Sequence, residues 1–435
     1  MTARVHPWIL AAAGAAALAT GCVSVDRDAA RAVDALRRGD SAPALAWSGE
    51  LARDSLYSKT LGTVELARVN MLAGNDAAAA DAYRAAVDTA VDRRESAPVI
   101  RLGDVGNTVL ASTVTDDRTR QYQLAPYELN LALEHGIVTQ AAAGRREDAL
   151  VDCRLAVYVQ DNLAETYGAD AVKAQTSTNS LAQSLYDSNA AALNELIAAT
   201  RNSWENPVLW WLTGVLFEAD GEFDSAQQSY RKAAAIRPDC PVFAADAARA
   251  ARTPAAGRAK LAVIVGDGFV SRRQSLKVPI PIYTGMSFDM PMYRDAAYVP
   301  RQVALTVGGR AAGVAAPALN IQSLASRDLK EHMPGVIARN LTRAAVQAGA
   351  QAAVNAAGND YAKLAVFVGN AVVSALRAAD LRSWVTLPQG EQVYVAHDLA
   401  PGVYDVRATA GPFFTAQTVV LKPGETKVIY LNLME

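Results

Sequence analysis

The side chains best suited to chemistry are dispersed along this chain of 435 residues. His6, His135, His332 and His397 fall in four separate segments. No pair of His or Cys residues has the short spacing that converges on a metal ion. The run "VIVGDGFVSRR" (263–273) invites a dinucleotide reading, because glycines after a strand let a pyrophosphate approach the backbone. Ser271 stands where the third glycine is needed, and "SLKVPIPI" does not open a helix. Without a helix N-terminus the pyrophosphate loses its dipole and N–H partners, so a strand-end turn or hairpin is expected instead. Carboxylates are plentiful, but none form an obvious acid–base pair, and the sequence offers no nucleophile elbow or phosphate loop. No cofactor, metal or catalytic activity is expected.

One polar constellation stands out. Arg339 and Arg343 are four residues apart and share a helix face. Asp380, Arg382 and Trp384 open the closing β segment. If the two groups meet, Asp380 orients an arginine while Trp384 covers the guanidinium plane. Such a cluster either docks helix to sheet or holds an anionic ligand or glycan.

These residues need a large scaffold. The length exceeds what one core usually serves, which predicts two domains. Hydrophobic residues reach 51%, inflated by alanine, and only 7% are aromatic, a helix-favouring composition. With 42 basic and 44 acidic residues the net charge is −2, and paired arginines such as Arg37-Arg38 and Arg145-Arg146 are scattered. No basic stripe for nucleic acid emerges.

The clearest internal pattern is "NPVLWWLTGVLFEADGEFDSAQQSYRKAAAIRP" (206–238). Read as a helical hairpin, it carries Trp210, Gly214 and Phe217 on one helix and Ala226, Tyr230 and Ala233 on the other. Asp220-Gly221 makes the turn and Pro238 ends the second helix. Small residues let the helices approach while the aromatic ones fill the space between neighbours, the packing of a tetratricopeptide (TPR) repeat. Weaker copies surround Gly74-Asn75 and Gly144, and Gly39-Asp40 marks a worn one. One hairpin cannot bury its apolar face alone, so a stacked solenoid is expected, its concave face the binding surface. Stretches 92–125 and 160–185 read as loop insertions or spacers.

Near "RTPAAG" (252–257) the helical pattern stops. Strands are expected at Lys260–Val265, Leu276–Ile282 and Gln302–Val307, with a Pro- and Met-rich loop between the last two. Two Ala-rich helices should follow, meeting at Gly358-Asn359. A β-sandwich-like end should close the chain, with Gln417–Leu421 and Lys427–Leu433 as arms of a hairpin around Pro423-Gly424. The expected class is α+β: a helical repeat domain over 22–255, then an α+β domain over 256–435.

At the N-terminus, Arg4 and His6 precede an apolar run, Ile9–Ala19, of signal-peptide length and too short to span a bilayer. "LATGC" resembles a bacterial lipobox, in which small residues precede a lipid-modified cysteine, here Cys22. An ordinary secretory cleavage is the alternative. Residues 1–21 would then be a signal peptide. Val23, where Asp retains lipoproteins at the inner membrane, points to the outer membrane. The acyl chains on Cys22 exceed the two anchors needed for stable attachment. An envelope address permits a Cys153–Cys240 disulfide, though each also suits a small buried position.

The whole chain resembles a family of largely uncharacterised bacterial TPR-containing lipoproteins. The likeness rests on "YELNLALEHGIVTQAAAGRREDALVDCRLAVYVQ", on 206–238, on "IARNLTRA" and on "ADLRSWVTLP", where Leu381 replaces an expected Thr. Family members are often encoded near lipoproteins that resemble activators of penicillin-binding proteins. The resemblance implies an outer-membrane lipoprotein facing the periplasm, an adaptor for an unidentified envelope protein. The alternative is a peptidoglycan- or glycan-binding module using the C-terminal domain. The sequence assigns no oligomeric state.

Overall fold

The computed structural model describes residues 27–55, 57–96, 120–174, 180–283, 285–357 and 378–434. Cys22, the expected signal segment and the expected second Ala-rich helix with its Gly358-Asn359 junction lie outside the described residues. No described helix is long and apolar enough to cross a membrane. The chain is α+β, with most helices in the first half and the sheets in the second.

The first half runs through α1 (27–37), α2 (Ala42–Asp54), α3 (Lys59–Leu72), α4 (Asp76–Ser96), α5 (Pro126–Ala142) and α6 (Arg146–Ala174). It continues with α7 (Ser180–Ala190), α8 (Pro207–Asp220), α9 (Phe223–Ile236) and α10 (Pro241–Ala248). Four pairs are hairpins with the same turn. Gly39, Gly74, Gly144 and Gly221 all adopt left-handed φ angles of 77–87°, the conformation that lets glycine end a helix within one residue. Trp210, Phe217, Ala226, Tyr230 and Ala233 are all buried. Gly214 is where the α8–α9 pair touches most closely: a Cβ there would lie 2.7 Å from the Tyr230 ring. Pro238 lies exposed in the turn after α9. Much of the expected 160–185 insertion is helical instead, within α6 and α7. Leu163, Ala182 and Leu185 bury one face of each helix, so the polar residues that suggested a loop are the solvated face.

The second half builds two four-stranded sheets from β1 (Ala259–Asp267), β4 (Ala304–Val307), β5 (Arg310–Val314), β6 (Ala316–Asn320), β7 (Gly390–Leu399), β8 (Gly402–Ala410), β9 (Phe413–Leu421) and β10 (Thr426–Leu433). The inner sheet has the order β10-β1-β7-β6 and the outer one β5-β4-β8-β9. A separate ribbon pairs β2 (Gln274–Pro279) with β3 (Ser287–Met292), and α11 (Ile321–Ala357) runs between β6 and β7.

The inner sheet is covered on both faces. Leu261, Val263 and Val265 pack with Val406, Val419 and Leu431 between the sheets. Ala262, Ile264, Val393 and Val428 join the helical core, which runs without a break from Leu51 to the sheet. This explains why Leu261–Val265 of β1 reads as one continuous apolar run, every residue of the strand being buried.

Two strand expectations need correction. The Pro- and Met-rich stretch is not all loop, because Phe288, Met290 and Met292 are buried and Ser287–Met292 forms β3. Gln417–Leu421 and Lys427–Leu433 are not arms of one hairpin. Gly424, at φ 76°, turns the chain out of the outer sheet, and β10 then pairs parallel with β1 in the inner one. Each apolar strand thus gains a separate neighbour: β9 pairs with β8.

Candidate functional site

The helical layer grips residues 382–392, the segment leading into β7. Glu65 of α3 accepts from the Val385 amide (2.7 Å) and the Thr386 hydroxyl. Arg68, one turn on, donates to the Thr386 carbonyl (3.3 Å) and to Asn432 Oδ1 (2.6 Å), its guanidinium lying over the Tyr430 ring. Glu128 of α5 accepts from Tyr122, from the Ala125 amide at its own helix start and from the Trp384 amide. The indole of Trp384 is buried against Tyr83 and His135 and donates to Thr386 Oγ1 (3.1 Å). Helix faces expected to be an open concave surface are therefore occupied by the chain's own turn ahead of β7.

Beneath Trp384 lies a fully buried polar knot. His135 Nε2 is 3.2 Å from Glu391 Oε1, which also accepts from the Tyr430 hydroxyl (2.6 Å). Asn206 donates to Glu134 Oε2 (2.7 Å). One donor atom each from Glu134, His135 and Glu391 lies within 4.8 Å of the others. Glu134 and Glu391 are hydrogen-bonded to each other, the protonated Glu134 carboxyl donating to Glu391. Burial pushes the Glu134 carboxyl well above the ordinary range, with the neighbouring Glu391 charge adding to the effect, and pushes His135 down to about 4. Burial opposes ionisation of Glu391 too, but the bond from His135 and its other partners hold it below the ordinary value. A proton on Glu134, a charge on Glu391 and the Arg68 cation close to neutrality in this dry setting. The donor set could ligate a divalent ion, but Arg68 already supplies the balancing charge.

Glu65 behaves in the same way. Burial, opposed by its bonds to Thr386 and Val385, raises its carboxyl from 4.5 to about 8. Folding therefore takes up a proton between those values, and stability falls as pH rises through that window by about 1.4 kcal/mol per unit for this group. Glu65→Gln should remove that component of the slope, a difference measured by urea unfolding of both proteins across the window.

A second feature is a cleft of about 810 Å³ between α4, α6, α11 and the extended residues 120–125. Arg93, Arg94, Arg120, Arg273, Arg339 and Arg382 line it with His332, against Asp289, Asp328 and Asp380. Some of these arginines pin backbone. Arg93 donates to the Tyr122 carbonyl and Arg94 to that of Leu124. Arg382 makes two bonds to Asp380 (2.7 and 2.8 Å) and reaches the Tyr57 and Arg120 carbonyls. The Asp328 carboxylate, 3.3 Å away, raises His332 to about 9, so it is a cation at neutral pH.

The polar constellation is thus brought together only in part. Asp380, Arg382 and Arg339 share the cleft, and Asp380 does orient an arginine, namely Arg382. Arg343 is buried near Asn340, 3.5 Å away, and does not line the cleft. Trp384 covers no guanidinium of the group: it is a core residue, and Tyr122 lies against Arg382 instead.

Gly266-Asp267-Gly268 ends β1 with no helix after it. Gly266 makes room for the Tyr430 hydroxyl, and Asp267 binds Tyr298 and Arg301. Cys153 and Cys240 are buried and unbridged. Sequence reasoning missed the Glu134–His135–Glu391 knot because Glu391 is 256 residues from His135. The available signal was an adjacent Glu-His pair on α5, a helix buried nearly all round, where each polar side chain needs a partner.

No protein-family model, curated protein or solved structure matches the chain.

Proposed function

We propose that this protein is a non-enzymatic, lipid-anchored cell-envelope scaffold. On this reading Cys22 tethers it to the outer membrane on the periplasmic side, and TPR-like hairpins hold an envelope protein partner. The observation that carries the reading is the way Glu65, Arg68 and Glu128 hold residues 384–386: side chains on successive hairpins already hold main-chain groups, here those of a turn in the chain itself. With that face occupied, the partner takes a second groove, of about 790 Å³, between α6 and α9. Its wall carries Gln160, Gln227, Gln228 and Arg231, with Trp210 under the Lys232 ammonium at 4.6 Å. The exposed Gln228 and Arg231 and the half-buried Trp204 of the same wall suit a peptide segment.

A photo-crosslinking side chain at Gln228 should capture one defined envelope protein in intact cells. The same group at Thr418, exposed on the outer sheet, should not. Equal capture from both positions overturns the groove. Co-sedimentation with purified sacculi, without any protein partner, overturns the scaffold in favour of a glycan-binding module.

A further inference from the structure

An open edge strand offers unpaired N–H and C=O groups to any other strand, and charges, prolines or bulges discourage that pairing. Among the described edge strands, all but one carry such a guard. β10 has Lys427, β5 has Arg310, and β6 has Pro317 with a shift of register against β7. The ribbon has Lys277 and Pro279 in β2, and Asp289 and Pro291 in β3. β9, "FFTAQTVVL", has no charge and no proline, and it pairs with β8 along its length without a shift. It borders only β8 in the outer sheet.

The hairpin register shows which groups are open. Gly411, at φ 58°, and Pro412 connect β8 to β9, so Ala410 and Phe413 close the hairpin as a hydrogen-bonded pair. Bonded and non-bonded pairs then alternate, which turns the N–H and C=O of Phe414, Ala416, Thr418 and Val420 away from β8. None of these four finds another main-chain partner among the described residues. All four side chains are exposed, Phe414 by 60% and Val420 by 56%.

We infer that this edge pairs antiparallel with the same edge of a second copy of the chain, about a two-fold axis at Gln417. The strand is complementary to itself in that register. Phe414 falls opposite Val420 of the second copy, and Ala416 opposite its Thr418, with no like charges opposed. These are the residues that carry the open main-chain groups, so all of them are bonded at once. The match extends across the sheet. Val314, Ala304, Thr409 and Phe414 form one row of the outer face, which Val420 and Val403 of the second copy continue. Arg407, stacked on Phe414 at 3.8 Å, shares the next row with Asp405 of the second copy, so the flanking charges are of opposite sign.

The test is sedimentation velocity of the full-length chain in a neutral detergent across the micromolar range, with residue-resolved hydrogen exchange at both ends of it. A monomer–dimer equilibrium should appear. The amides of Phe414, Ala416, Thr418 and Val420 should slow with concentration by about ten-fold or more, and those of Thr415, Gln417 and Val419, already bonded to β8, by less. Thr418→Pro removes one outward N–H and no bond to β8, and Thr418→Lys sets two like charges beside the axis. Each should weaken association by about ten-fold or more while the monomer stays folded. A photo-crosslinking group at Thr418 should join the chain to itself, a product whose doubled mass separates it from the partner captured at Gln228. A chain that stays monomeric throughout, a dimer that both variants leave intact, or β9 amides protected only once envelope extract is added overturns self-pairing.

Discussion

Glu218→Ala should cost about 3–5 kcal/mol of folding stability, the loss expected when a buried charge is left without its partner. Glu218, near the end of α8, accepts from the Lys260 ammonium of β1 (2.6 Å), from Tyr230 (2.6 Å) and from Arg249 (2.8 Å). Lys260 is only 3% exposed, so its charge cannot be returned to water. Its remaining partners would be the Tyr230 hydroxyl at 3.2 Å and the more distant charge of Asp246. Burial alone would raise the Glu218 carboxyl, but Arg249, Lys260 and Tyr230 outweigh it and hold the group at about 2, below its ordinary 4.5. The sign follows. This contribution is present above the unfolded value and is lost as pH falls from about 4.5 toward 2. The variant should therefore lose its stability deficit progressively in acid. Pairing Glu218→Gln with Lys260→Met should recover much of the loss, since a well-packed apolar replacement needs no desolvation of charge. Urea denaturation of the three proteins decides it, and a single-variant loss under about 1 kcal/mol would mean that the network is solvated.

Trp384→Ala should cost a similar amount, about 3–5 kcal/mol, through lost burial and a cavity that its neighbours cannot close. Tyr83, His135 and Thr386 all lose contact, and the gripped segment loses the side chain that seats it. Hydrogen exchange separates this from general loosening. The Val385 and Trp384 amides, held by Glu65 and Glu128, should exchange faster by more than amides in the outer sheet. Trp384→Phe should keep most of the packing and lose only the bond to Thr386. If exchange at Val385 is unchanged in the alanine variant, the hydrogen bonds alone hold the segment.

How much of this was legible depended on sequence distance. The hairpins could be read because each is local: a glycine in the turn, small residues at the crossing, aromatic ones beside them, all within about one repeat. The α+β class followed from the change of pattern near residue 255, since β1 starts at Ala259. What escaped depends on residues brought together from far apart. Pro423-Gly424 looked like a hairpin turn because turn chemistry is the same whether the chain returns to its own strand or crosses to another sheet. Trp384 looked like the cover of a guanidinium because Arg382 is two residues away in sequence, whereas its neighbours in space are Tyr83 and His135. Asp380 does orient an arginine, Arg382, which pins the Tyr57 and Arg120 carbonyls. Stretch 160–185 was misread because polar residues on a half-covered helix resemble a loop when the buried Leu163 and Leu185 are widely spaced.

The place of β10 sets the order in which the chain can mature. The strand beside β1 in the inner sheet comes from residues 426–433, and Arg68 meets Asn432 across 364 residues of sequence. A chain emerging from its N-terminus can form its hairpins early, because their contacts are local. Its middle layer stays unbuilt, and its helical core uncovered on that side, until the last strand has arrived. Loop closure over such a span is slow compared with helix formation.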